Sequence, residues 1–188
     1  VDLGILYLPR FRDSPYEKSA KFPLKLMFCS KCRLVQLEEF TPREALYDDN
    51  YGYFSGVNQT MRKELADIVK SVSRYVDLEL KLPKSDVVVD IGANDGTLLR
   101  YYPKTLNRIG FEPIRKFIDH WQDAGIFIND YFNLKSLQGI PAIGNTKVIT
   151  AIAMFYDLVD PNQFLAGIAK LLHPQGIFIC QQNYLVSM

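Results

Sequence analysis

From residue 86 onward, runs of continuous apolar residues alternate with stretches whose apolar positions recur every three or four residues. Val87-Val88-Val89-Asp90-Ile91 reads as a strand buried on both faces, followed by a Gly92–Gly96 turn and a helix through Leu98-Leu99-Arg100. Residues 108–112, 125–130, 147–152 and 176–181 read as four further strands, with helices expected over 115–123 and 161–172. Leu172-His173-Pro174-Gln175-Gly176 reads as the turn before the last strand. Upstream, Met61, Leu65, Ile68, Val69 and Val72 fall at helical spacing in an amphipathic helix over 57–76, and residues 81–85 break the chain. Continuous apolar strands separated by helices predict a parallel sheet covered on both faces. The fold class expected is α/β, a Rossmann-like sheet over roughly 57–188.

Residues 1–50 carry turn residues and short apolar runs without a sustained helical period. Lys25-Leu26-Met27-Phe28 and Leu34-Val35-Gln36-Leu37 read as short strands flanking Cys29-Ser30-Lys31-Cys32. Thr41-Pro42-Arg43-Glu44 opens a short helix, with Thr as N-cap, Pro at the first helical position and Glu at the third.

Composition narrows the function classes. The 188 residues suit one ordinary domain with a small appendage, and a net charge of +1 gives no electrostatic case for nucleic acid or an anionic membrane surface. No apolar run approaches the ~18 residues that span a bilayer, and no signal-peptide pattern is present, so a cytoplasmic location is expected. Three cysteines, Cys29, Cys32 and Cys180, argue against a secreted disulfide framework. Val1 lies in an apolar stretch and Met188 closely follows a strand pattern, so both ends read as cut from a longer chain.

The turn after the Val87 strand holds the first candidate chemistry. Ligands of open α/β sheets bind at the carboxyl ends of strands, where helix N-termini present free N–H groups. A dinucleotide fingerprint counted from Gly92 would need glycines at Asn94 and Thr97, and has neither. What remains is Asp-x-Gly-x-x-x-Gly, with Asp90, Gly92 and Gly96, the pattern of enzymes that use S-adenosylmethionine (SAM). Glu112 ends the next strand, where a carboxylate can bond both hydroxyls of a ribose. By that feature alone NAD stays open. Asp130 and Tyr131 stand at the end of the third strand, suited to accept from an adenine amino group and to stack on its ring; Ala151 lies at the end of the fourth, below the sulfonium. Against these stands the plainer reading of a tight strand–helix turn with core neighbours.

Cys29 and Cys32 have the knuckle spacing at which two thiolates clamp one tetrahedral metal. The remaining candidates, Cys180, His120 and His173, fall in the sheet region, and Cys180 is expected to be a buried small residue of an apolar strand. Half a zinc site is the reading, with incidental spacing as the alternative. A redox pair lacks its strand–helix context.

In order along the chain stand Phe22-Pro23-Leu24, Cys29-x-x-Cys32-x-Leu34-Val35-Gln36-Leu37, Tyr51-Gly52-Tyr53-Phe54-Ser55, Val89-Asp90-Ile91-Gly92-Ala93-Asn94-Asp95-Gly96 and Gly110-Phe111-Glu112-Pro113. In these motifs the chain resembles the SAM-dependent C-methyltransferases of nucleotide-linked deoxysugars. The resemblance implies a partial zinc-binding, zinc-ribbon-like module over 1–50 and a SAM-binding class I methyltransferase sheet over 51–188, incomplete at its C-terminal end. It makes Cys29 and Cys32 half of a four-cysteine zinc site. Gly92, Asn94 and Gly96 become the SAM loop, and Glu112 the ribose acid. Tyr51 is placed near the reacting sugar, and Tyr53 and Ser55 close over the cofactor. The general base is expected downstream of Met188.

A carbon acceptor must lose a proton beside its carbonyl while a donor holds the enolate oxygen, a role open to Tyr51 or Tyr53. The alternative for both is lid residues packed on the cofactor. The partners expected are a small-molecule substrate of the nucleotide-sugar class, with neither nucleic acid nor membrane, and self-association through an exposed sheet edge. Two rivals remain: a non-catalytic zinc-ribbon and Rossmann interaction module, and a NAD-binding domain.

Overall fold

A computed structural model describes residues 1–7, 20–81 and 86–183, so the break expected at 81–85 lies beyond Lys81 outside the described residues. The chain divides into two compact units, Val1–Tyr51 and Gly52–Met188.

The first unit is a three-stranded antiparallel sheet of β1 (Asp2–Tyr7), β2 (Lys21–Phe28) and β3 (Val35–Leu37), in that order. Alternate residues of β2 are half-buried, as a strand with one solvated face requires. The β2–β3 hairpin carries the Cys-x-x-Cys turn at its tip. Strand β1 has no counterpart in the sequence reading, because Asp2 and Gly4 interrupt its apolar run; Gly4 N–H bonds Asp2 Oδ1, and the pairing register shifts between Asp2 and Ile5. The helix α1 (Arg43–Leu46) starts one residue later than expected. Pro42 is its N-cap and no side chain caps it, so Thr41 does not take the capping role. None of the described residues of this unit is buried.

The second unit begins with α2 (Gln59–Val72), capped by Asn58, whose Oδ1 accepts from Thr60 N and Met61 N. There follow β4 (Val87–Ile91), α3 (Thr97–Arg100), β5 (Asn107–Phe111), β6 (Ile126–Ile128), β7 (Thr146–Ile152), α4 (Pro161–Leu171) and β8 (Leu172–Gln181). The five strands are all parallel, in the order β6-β5-β4-β7-β8. This is the Rossmann-like arrangement expected. Alternation along β4 feeds two cores: Val88 faces Leu65, Val72, Leu98 and Leu99 of α2 and α3. Val87, Val89 and Ile91 share the other core with Phe164, Ile168 and Leu171 of α4.

Three local expectations are corrected. Residues 115–120 form a 3-10 helix instead of an α-helix to 123. His173 and Pro174 belong to β8, whose pairing with β7 shifts register between Thr146 and Val148 and so absorbs the proline. Cys180 is exposed, near the carboxyl end of β8, which is an edge strand among the described residues. Among the described residues, no helix is long and apolar enough to cross a membrane.

Candidate functional site

Strand register decides which residues meet. Ile91 pairs with Phe111 and with Ala151, and Phe111 pairs with Ile128. The residues just beyond these levels therefore share the carboxyl edge of the sheet: the Gly92 loop, Glu112, Asn129-Asp130 and Ile152-Ala153-Met154. The strand order reverses between β4 and β7, the position where open α/β sheets hold ligands.

The loop is anchored by its backbone. Gly92 N and Ala93 N both donate to Phe111 O, at 2.9 and 3.0 Å. Gly92 is exposed at the mouth, whereas residues 93–99 are buried. Gly96 has φ +75°, and a Cβ there would lie 2.6 Å from Ala124 Cβ and against the Trp121 ring. Only glycine satisfies both the left-handed conformation and that contact.

Two carboxyl groups are buried beside this loop. Glu112, 5% exposed, accepts from Asn94 N at Oε2 (2.9 Å) and from Ile114 N at Oε1 (2.8 Å). Burial pushes its pKa up, and the two N–H bonds oppose the shift. Each oxygen keeps acceptor capacity for one more donor, which suits a pair of ribose hydroxyls. Asp90, 4% exposed, takes the Thr150 hydroxyl on Oδ1 at 2.5 Å, a bond from β7 to β4. Burial raises its pKa to about 7; the Thr150 bond works against that, and the charge of Glu112 adds to it.

Asn94 sits at φ +52°, a conformation that Asn adopts more readily than most side chains. Its Oδ1 accepts from Ser55 N at 2.9 Å and its Nδ2 donates to Tyr53 O at 3.0 Å. The structure thus brings Tyr53, Ser55, Asp90, Gly92, Asn94, Gly96, Glu112 and Ala151 to one end of the sheet. Asp130 is exposed at the end of β6, and its Oδ2 accepts from Asn133 Nδ2 and Ser136 Oγ. Tyr131 follows it, half-buried. Tyr51 belongs to the first unit, where its ring packs at 5.4 Å on Tyr47.

Three contributors stand in segments that the sequence singled out, but without the contacts they make. Asp95 accepts from Gly56 N at Oδ2 (2.8 Å) and from Thr97 N and Oγ1 at Oδ1. Thr150 holds Asp90, and Asn129 Nδ2 donates to Glu112 O and Pro113 O, fastening the end of β6 to the loop after β5. Asp-x-Thr at a helix start carries a local capping signal. The other two depend on strand pairings that no local pattern encodes.

In the first unit, Cys29 N donates to Leu34 O and Arg33 N to Cys29 O, closing the knuckle turn with Arg33 at φ +63°. Hydrogen bonds from the Cys32 backbone, the Cys32 side chain and the Lys31 backbone hold the Cys29 thiol below its ordinary pKa. A thiolate favoured by backbone N–H groups is the form that binds a metal. The two cysteines therefore fit half a tetrahedral site, and among the described residues no group of three or more Cys, His, Asp or Glu is gathered to complete one.

Comparison with known proteins gives relatives for both parts. Residues 8–47 match the family model described as "Putative zinc binding domain". The chain is 25% identical over 173 residues to the C-methyltransferase NovU of Streptomyces niveus, across 89% of this chain and 39% of that protein. It thus spans about two fifths of the length of that relative. Among solved structures, the plantazolicin methyltransferase BpumL in complex with S-adenosylhomocysteine (SAH) and a substrate analogue aligns with a TM-score of 0.49 at 19% identity. The alignment covers 64% of this chain and 48% of that one. A SAM-dependent methyltransferase from Aquifex aeolicus aligns with a TM-score of 0.44 at 15% identity, covering 63% of this chain and 65% of that one.

Proposed function

We propose that this chain is the cofactor-binding part of a cytoplasmic SAM-dependent methyltransferase whose acceptor is a carbon of a nucleotide-linked ketodeoxysugar. Glu112 carries the cofactor reading. It is a buried carboxylate held by two backbone N–H groups at the end of the second strand of the parallel sheet, beside a glycine loop without dinucleotide spacing. The sugar acceptor rests on the motif resemblance and on the likeness to NovU, a C-methyltransferase. Three free cysteines fit a reducing compartment.

When bound, SAM supplies an electrophilic methyl group on a sulfonium, and the protein's task is alignment. Glu112 would hold the two ribose hydroxyls on its remaining acceptor positions. The Gly92–Gly96 loop would let the backbone approach the amino-acid tail, while Asp130 and Tyr131 would hold the adenine end and the small Ala151 would leave room beneath the sulfonium. Burial, and then the charge of Asp95, push the Tyr53 phenol above its ordinary pKa, and the phenol is a hydrogen-bond donor at neutral pH with or without that shift. A phenol there can hold the oxygen of an enolate as carbon becomes nucleophilic. Cys29 and Cys32 supply half of a structural zinc site.

Calorimetric titration with SAH, with NAD as control, tests the reading. Saturable SAH binding that weakens at least tenfold in Glu112→Ala, with no NAD binding, is expected. NAD binding in place of SAH sinks the proposal.

A further inference from the structure

We propose that Asp95 is a positioning residue that latches the 53–56 segment over the glycine loop and, through Asn94, sets the Glu112 carboxylate for its ligand. The inference rests on the SAM-site reading above. Asp95 is 4% exposed, and its two oxygens serve different masters. Oδ1 caps α3 through Thr97 N (3.1 Å) and Thr97 Oγ1 (2.7 Å), while Oδ2 takes Gly56 N at 2.8 Å. Arg100 donates from Nη1 and Nη2 to the Asp95 carbonyl, at 2.7 and 2.9 Å, which fixes the backbone from which the carboxylate projects.

The segment it holds is fitted to the place. A Cβ on Gly56 would lie 2.7 Å from Thr97 Oγ1 and 2.8 Å from Asp95 Oδ2, so the approach needs glycine. Phe54 packs edge-on against Phe117, with ring centres 5.0 Å apart, and Arg62 Nη1 donates to the carbonyls of Gly56 and Val57. Next to Asp95, Asn94 grips Tyr53 O and Ser55 N with its amide and Glu112 Oε2 with its backbone N–H. That residue is held at a positive φ by bonds on two sides. Conformations of this kind persist where the surroundings over-determine them. Releasing Gly56 removes one side of that frame, so the segment and the ribose carboxylate move together.

The coupling predicts reciprocity: SAH tightens the latch as much as the latch tightens SAH. The test uses the full-length protein and measures amide exchange at Ser55 and Gly56, with and without SAH, alongside SAH affinity. Asp95→Asn keeps an oxygen for Thr97 and turns an NH2 toward Gly56 N–H. Gly56→Ala disturbs the same bond while leaving Asp95 intact, and decides the matter if Asp95→Asn also speeds exchange at Leu99 and Ile109 in the core. Expected are about tenfold faster exchange at Gly56, about tenfold weaker SAH binding, and a smaller slowing of that exchange by SAH. Unchanged SAH affinity with a released Gly56 amide overturns the latch and leaves the SAM-site reading standing. A wild-type protein that binds no SAH overturns both.

Discussion

Asp90 gives up its proton near pH 3.8 in an unfolded chain and near pH 7 when sealed between β4 and β7. Between those values the folded state binds more protons than the unfolded one, so Asp90 lowers stability as pH rises from about 4 to about 7. Its contribution is complete below pH 4 and lost above pH 7. Asp90→Asn keeps an oxygen for the Thr150 hydroxyl and removes the titration. Relative to wild type, the variant is expected to gain stability across that window, by an amount on the order of 4 kcal/mol, in urea unfolding measured at successive pH values. A flat difference between the two proteins from pH 4 to 7 would show that Asp90 ionises freely. At this scale the sequence was informative where a residue's role is local. Asp90, Gly92, Gly96 and Glu112 sit at strand ends and turns, where the apolar runs beside them placed them. Asp95 was passed over because its second bond goes to Gly56, thirty-nine residues earlier, and only the folded chain makes that pairing.

At the scale of elements, the inner strands β4, β5 and β7 announced themselves as apolar runs, because strands buried on both faces have no polar side to disguise them, and the outer β6 and β8 kept short apolar runs. Strand β1 and the full length of β8 did not. The first is broken by Asp2 and Gly4, and the second opens with His173 and Pro174, residues that a strand tolerates only at its edge or at an irregularity. That outer position leaves β8 with no strand beyond it among the described residues, and Ile177, Phe178 and Ile179 are only partly covered. Unpaired edges recruit other chains. The 188-residue chain is expected to self-associate as its concentration rises, and Cys180→Lys, which puts a charge at an exposed position of β8, should return it to monomer in sedimentation velocity. A wild-type chain that stays monomeric at high concentration argues against the edge as a contact.

For the whole molecule the two units pose different stability problems. Gly52–Met188 has two cores, one on each face of its sheet. Val1–Tyr51 has no buried residue among those described, so burial of apolar surface does little to hold its hairpins. A small module whose described residues bury so little relies on a metal or another staple. A chelator should therefore abolish the ordered signals of the first unit in the zinc-loaded protein and leave the unfolding transition of residues 52–188 in place. Loss of both transitions together would show that the metal serves the whole chain. From the sequence, two cysteines raised the expectation of a metal, but the shallow burial of the described residues could be seen only once side chains had positions.

Trp121 is the only tryptophan in the chain, 6% exposed, and its ring lies where a Cβ on Gly96 or Gly110 would fall, with its N–H on Gly125 O at 2.9 Å. The molecule therefore carries one indole among its eleven tyrosines, and that indole forms the underside of the glycine loop. Excitation at the red edge of indole absorption reads this contact with no background from a second indole, so a shift of the loop by a fraction of an ångström has an optical signature without any label.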